Sequence, residues 1–133
     1  MARVTVWLFI ESSDMDANQM SAAIGVPADK TWRKGDARGR TGKVYGTDSW
    51  TLESRSDVNE NPVAVGESIQ KCLDSILNRI QGHTDSFRAI ASGRTCGIYV
   101  GVSTNAAPAV EFTAETIRKM STLGVGIELD LML

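Results

Sequence analysis

The sequence predicts an α+β protein, a two-layer sandwich with a mixed or antiparallel sheet and helices packed on one of its faces. Two patterns carry this expectation. Apolar side chains switch repeatedly between two-residue and roughly 3.6-residue spacing along the chain, and glycine or proline stands at most of the switches. The length adds a third constraint: 133 residues suit one hydrophobic core, so residues 1–133 are read as a single domain.

Residues 3–11 alternate Val4, Val6, Leu8 and Ile10 against Arg3, Thr5, Trp7, Phe9 and Glu11. The β-branched content and the bulky second set predict a strand covered at least partly on both sides. Asp14 and Asp16 are candidate caps for a short helix near 17–24, which Gly25 stops before Pro27 holds the chain away from helix. Residues 28–43 are polar and aperiodic, a loop. Strand character resumes over 44–54, with Trp50, Leu52 and Ser54 opposite Ser49, Thr51 and Glu53, and residues 55–62 read as turn material.

The strongest element follows. Val65, Ile69, Cys72, Leu73, Ile76, Leu77 and Ile80 form one apolar stripe at helical period, closed by Gly82, with Gly66 blurring its start. A shorter helix is expected near 85–91. Cys96, Ile98, Val100 and Val102 then alternate with Thr95, Gly97, Tyr99, Gly101 and Ser103, a strand whose glycine face predicts close packing, such as a helix backbone. Val110 to Phe112 reads as a short strand. Thr113 caps a helix over 114–123 with Ile117, Met120 and Leu123 inward and Gly124 as its stop. The last strand alternates Val125, Ile127, Leu129, Leu131 and Leu133 against Gly126, Glu128, Asp130 and Met132. The two ends look alike, with Met20-Ser21 and Gly25-Val26 matched by Met120-Ser121 and Gly124-Val125, and are read as pseudo-duplicated β-α halves.

Composition narrows the function classes. Fourteen basic and 16 acidic residues give a net charge of -2, with no global attraction to nucleic acid or to an anionic membrane. No apolar run approaches the roughly 18 residues of a membrane span. The opening Met1-Ala2-Arg3 runs directly into a strand pattern without the apolar stretch of a secretion signal, and the two cysteines fall in apolar patterns. A cytoplasmic setting with reduced thiols is expected.

Several features occur together in a fixed order. They are the opening strand, an Asp-rich turn (Ser12 to Asp16), and a helix ending Ile24-Gly25-Val26-Pro27. The loop Thr31-Trp32-Arg33-Lys34-Gly35-Asp36, the strand Trp50-Thr51-Leu52-Glu53-Ser54 and the long amphipathic helix come next, and Glu128-Leu129-Asp130-Leu131 closes the series. This order resembles a family of bacterial domains of unknown function, number 4279, over nearly the whole chain. The family pattern often carries an aromatic after the final Asp, where Leu131 stands here. The resemblance implies an α+β sandwich and supplies no activity.

The loop from Lys30 to Lys43 concentrates charge: Lys30, Arg33, Lys34, Arg38, Arg40 and Lys43 stand there, six of the 14 basic residues. With the backbone N–H groups around Gly35, Gly39 and Gly42 it would suit phosphate or carboxylate. The plainer reading is a solvated loop pinned by Trp32, with Asp36 bonded to its own turn. Nucleic acid, with Trp32 or Trp50 as stacking platforms, lacks the larger basic face it needs.

Other chemistries fail on spacing. A phosphate loop at Gly42-Lys43 would need glycine at Ala37 and Ser or Thr at Val44. A calcium loop from Asp14, Asp16 and Asn18 meets Gln19 at the turn-glycine position and Gly25 at the bidentate glutamate. His83, just past a helix C-terminus, reads as a capping residue, and one histidine with two separated cysteines makes no zinc set. Glu128 and Asp130, roughly 7 Å apart on one strand face, would do acid–base work only if buried beside another carboxylate such as Glu53 or Glu111. Trp7, Phe9, Tyr99 and Met132 would make an apolar partner surface if the second sheet face is uncovered.

The sequence therefore points to a non-enzymatic binding or protein-interaction module without cofactor or metal, with a homodimer through the sheet edge or face as one form. The alternative is a small anion- or nucleotide-binding protein or enzyme. Its site would comprise Trp32 as a wall, Arg38 and Arg40 as anion clamps and Asp36 as orienter, with Lys34, Lys43 and Trp50 beside them. An immunity-type protein inhibitor fits the size and acidic balance as well.

Overall fold

A computed structural model describes residues 1–132; Leu133, expected to end the last apolar series, lies outside the described residues. The chain runs β1 (Ala2–Ser12), α1 (Ala17–Ile24), β2 (Lys30–Trp32), β3 (Asp48–Val58), α2 (Pro62–Ile80), α3 (Thr84–Ala91), β4 (Thr95–Ser103), α4 (Ala114–Leu123) and β5 (Ile127–Met132). The strands form one mixed sheet in the order β2-β3-β1-β4-β5. β1 pairs antiparallel with β3 and with β4, β2 is antiparallel to β3, and β4 and β5 run parallel. This is the α+β sandwich the periodicity predicts.

β1 lies at the centre because its alternation is the most complete. Ala2, Val4, Val6, Leu8 and Ile10 are all fully buried, and α2 lies across β1 and β3 on that side. The α2 stripe from Val65 to Ile80 is buried as its spacing requires. Asn61 caps α2 by accepting from the Val63 and Ala64 N–H groups, with Pro62 in the first turn. Gly66 is needed for contact: a Cβ there would collide with the Ala109 carbonyl, where the chain crosses α2 and the Ala109 N–H bonds the Pro62 carbonyl.

Asp16 caps α1 in a full capping box with Gln19. Asp14 plays another part, held by the Ser12 hydroxyl at 2.7 Å and by Arg94 at 3.1 Å. His83 precedes α3; its N–H bonds the Ile80 carbonyl, and its ring packs where a Cβ on Gly25 would stand. At the chain's two ends Met20 and Met120 both enter the core, and Gly25 and Gly124 both take left-handed φ values of 87° and 75°. The halves pair differently: β4 and β5 are parallel neighbours, whereas β3 separates β1 from the three-residue β2.

Five local expectations are corrected. The second strand starts at Asp48 and extends to Val58, because β1 supplies a partner for every residue from Ala2↔Val58 to Ser12↔Asp48. Arg55 and Asp57 belong to a solvated strand face, where Asp57 meets Arg3 at 3.0 Å. The loop over 28–43 contains β2, which pairs with Ser49 to Thr51. Residues 110–112 form no strand; Val110 and Phe112 pack on the core from irregular backbone. α4 is rotated from the expected face, leaving Ile117 exposed and burying Thr116. The Thr116 hydroxyl reaches Gln70 Nε2 at 2.8 Å, which fixes that rotation. Gly97 and Gly101 lie under aromatic rings rather than a helix: Cβ atoms there would meet Phe9 and Tyr99.

Candidate functional site

The odd-numbered residues of β1, β3 and β4 point away from the helices, and three rows of paired residues describe that face. One row reads Glu53, Trp7, Tyr99, Glu128 across four strands. The next reads Lys30, Thr51, Phe9, Gly97, and the third reads Trp32, Ser49, Glu11, Thr95. Trp7 and Tyr99 stand side by side in the first row, and Thr51, Gly97 and Ser49 keep the next two rows low. Ser49 and Thr51 are buried, their hydroxyls 3.1 Å apart. Gly97 adds no bulk of its own.

The segment after β2 curls over one side of this face as a hairpin. The Gly35 N–H bonds the Tyr45 carbonyl at 2.8 Å, the Tyr45 N–H bonds the Asp36 carbonyl at 2.9 Å, and the Arg38 N–H bonds the Lys43 carbonyl at 2.9 Å. Gly35, Gly39 and Gly42 make its bends at φ of 93°, 59° and 74°. The result is a cleft of about 610 Å³, lined chiefly by Trp7, Trp32, Tyr45 and Tyr99, with Lys30 and Arg38, Glu11 and Glu128 among its charged groups.

The rings form a continuous run. Trp32 stacks on Tyr45 with centroids 4.7 Å apart and planes 17° apart; Trp7 lies 6.3 Å from Trp32 and 5.4 Å from Tyr99. Polar groups fix their orientation. Trp7 Nε1 donates to Glu53 at 2.6 Å and the Tyr99 hydroxyl donates to Asp130 at 2.9 Å. The Lys30 ammonium sits 4.9 Å from the Trp7 ring, and the Arg38 guanidinium 5.4 Å from the Tyr45 ring. Burial, then the Asp130 hydrogen bond and the neighbouring carboxylates, push the Tyr99 phenol above its ordinary value.

The residues singled out from sequence separate into three groups. Trp32 and Arg38 line the cleft. Lys34, Asp36, Arg40 and Lys43 stand outside its lining and are exposed. Asp36 orients the loop by accepting from the Arg33 N–H at 3.0 Å, the turn role its residue type suggests, and the Lys34 N–H bonds Asp48. Trp50 is displaced to the opposite face. It is fully buried against Phe87, its indole N–H bonded to the Val26 carbonyl at 3.0 Å, so it offers no stacking platform.

The N–H groups of Gly35, Asp36, Arg38 and Tyr45 close the hairpin on itself, so its backbone spends them internally rather than on an anion. Glu53 stands across Trp7 and Tyr99 from Glu128 in the same row, so these two carboxylates do not share a site. Cys96 lies on the helix side, and burial pushes its thiol up, away from nucleophilic character. Sequence reasoning found Trp7, Phe9 and Tyr99 through strand alternation. It missed Tyr45 and Thr47, which sit in aperiodic backbone and reach the cleft only because the hairpin folds back.

Fold and site together define a small sheet-and-helix domain whose uncovered sheet face holds an aromatic cleft under a basic hairpin. The chain belongs to the family described as Domain of unknown function (DUF4279), which matches residues 2–133. No curated protein and no solved structure matches the chain. No helix among the described residues is long and apolar enough to cross a membrane.

Proposed function

We propose that this domain is a non-catalytic binding module that takes a flat-ringed, anionic small molecule in the open-face cleft. The observation that carries the reading is the run Tyr45, Trp32, Trp7, Tyr99, four rings in contact on a sheet face no helix covers. A planar ligand gains dispersion and stacking against such a surface. Arg38 borders the rings and supplies charge for a phosphate or carboxylate, with Lys30, whose ammonium lies 3.9 Å from Glu53, beside it. Glu11 and Glu128 are acceptors for ligand N–H or O–H groups. Glu53 and Asp130 already accept from Trp7 and Tyr99, so they hold rings in place rather than poise a proton for transfer.

The test is tryptophan fluorescence during titration with nucleoside monophosphates and aromatic carboxylates. Binding should quench Trp7 and Trp32. Trp32→Ala and Arg38→Ala should each weaken binding by roughly tenfold or more. Arg40→Ala, outside the cleft lining, should leave it within about twofold. A flat response across the panel, or equal losses for Arg38→Ala and Arg40→Ala, would remove the support for this reading.

A further inference from the structure

β5 is an edge strand, and its outer side differs from that of a protected edge. All six of its residues are exposed. Ile127, Leu129 and Leu131 share the helix-side face with buried Ile98, Val100 and Val102 of β4, yet remain 38%, 41% and 40% exposed. Ile117 of α4 is 54% exposed. Glu115, Lys119 and Thr122 of α4 face α2 across a groove, and Ile117 stands outside that groove's lining. The core therefore ends in an apolar step along this edge.

The backbone adds a direction. In a parallel ladder, alternate residues of a strand bond to the same neighbour. The Ile98 N–H bonds the Gly126 carbonyl and the Thr104 N–H bonds the Met132 carbonyl. Even-numbered residues of β5 are thereby turned to β4, and the N–H and C=O groups of Ile127, Leu129 and Leu131 point outward. Among the described residues no strand pairs with them. Proteins usually blunt such an edge with charged side chains, above all lysine, or with proline or a bulge; Ile127–Met132 has no lysine or proline, and its two charges, Glu128 and Asp130, are both acidic.

Charge selects the occupant. Glu128 and Asp130 project on the other face of β5, and neither is ion-paired among the described residues. If two copies of β5 met antiparallel about a two-fold axis, side chains on one face would oppose each other in same-parity registers. Every such register near the strand centre sets Glu128 or Asp130 against an acidic residue, which is destabilising. A strand with basic side chains at those positions gains at each.

We propose that the β5 edge accepts an extended segment of a partner protein, added as a sixth strand, whose residues alternate apolar and basic. Its apolar side chains cover Ile127, Leu129 and Leu131, its basic ones meet Glu128 and Asp130, and its backbone satisfies the outward groups.

The probe is a fluorescein-labelled ten-residue peptide alternating valine and lysine, with a valine–glutamate peptide as control, read by anisotropy and by amide shifts in β5. The lysine peptide should bind saturably, move the amides of Ile127, Leu129 and Leu131, and exceed the control by about tenfold or more. Leu129→Pro removes one outward donor without touching a bond to β4 and should abolish binding. Glu128→Lys, an exposed change that leaves Asp130 as the one acidic group on that face, should level the preference between the two peptides. Failure of the lysine peptide to bind at millimolar concentration, equal binding of both peptides, unchanged preference in Glu128→Lys, or a dimer through β5 in the free protein would each overturn the proposal.

Discussion

The two faces of the sheet use tryptophan in opposite ways. Trp50 and Trp7 stand on adjacent strands with similar local sequence, each inside an alternating run. Trp50 is sealed beneath α3, beside Phe87, with its one donor satisfied by the Val26 carbonyl. Trp7 is half-buried, bonded to Glu53, and bordered by Trp32, Tyr99 and Lys30. The helix side is filled by aliphatic residues whose burial drives folding. The open side keeps rings at the surface through hydrogen bonds and ring contacts, which orient groups more than they exclude water. The comparison teaches that one sheet can divide stability and recognition between its faces because successive side chains alternate.

Substitutions sharpen or break that division. Trp50→Ala should cost about 3–5 kcal/mol by losing core contacts, measured by chemical denaturation; a loss under about 1 kcal/mol would break the contrast. Gly66→Ala should come next, at roughly 1–3 kcal/mol, as α2 and the Ala109 segment separate. Normal stability in that variant would show that the segment crosses elsewhere. Trp32→Ala on the open face should cost at most about 1.5 kcal/mol while leaving only the weakened quenching of Trp7, and an unfolded variant would show that this side also carries the fold.

The smallest expected effect joins the two layers. Asp29 accepts from Arg79 of α2 and from the Glu53 N–H at 2.8 Å. The Arg79 hydrogen bond, above all, holds its carboxyl below the ordinary value of 3.8. A depressed carboxylate favours the folded state above its unfolded pKa, and that contribution disappears as pH falls through the folded value. Asp29→Asn should therefore lower neutral-pH stability slightly, the pair being partly exposed, and remove that part of the fall in stability below pH 4 or so, where the two proteins converge. An identical acid limb in both proteins would exclude this linkage.

The elements most legible in sequence are those whose partners are local or whose pattern is long. β1, α2 and β4 announce themselves because many apolar residues repeat one period, so a single misplaced side chain cannot disguise them. β2 is three residues long and lies in polar sequence, and its pairing to β3 exists only once the chain returns. α4 shows the same limit: Ile117 fits the apolar stripe, yet the partly buried bond from Gln70 to Thr116 outweighs it. For the site, Trp7, Phe9 and Tyr99 were visible as the second face of two strands. The basic loop was visible too, but which of its cations reaches the rings depends on how the hairpin bends.

By itself the sequence determined the layer arrangement, the long helix and the ends of the shorter ones, since these follow from spacing and residue type within short stretches. The tertiary structure decided that Trp50 turns inward while Trp32 turns outward, that Arg38 rather than Arg40 borders the cleft, and that β5 ends the sheet with its apolar residues uncovered. Those outcomes depend on register and on contacts between residues far apart in the chain, and spacing carries no information about which distant segment arrives.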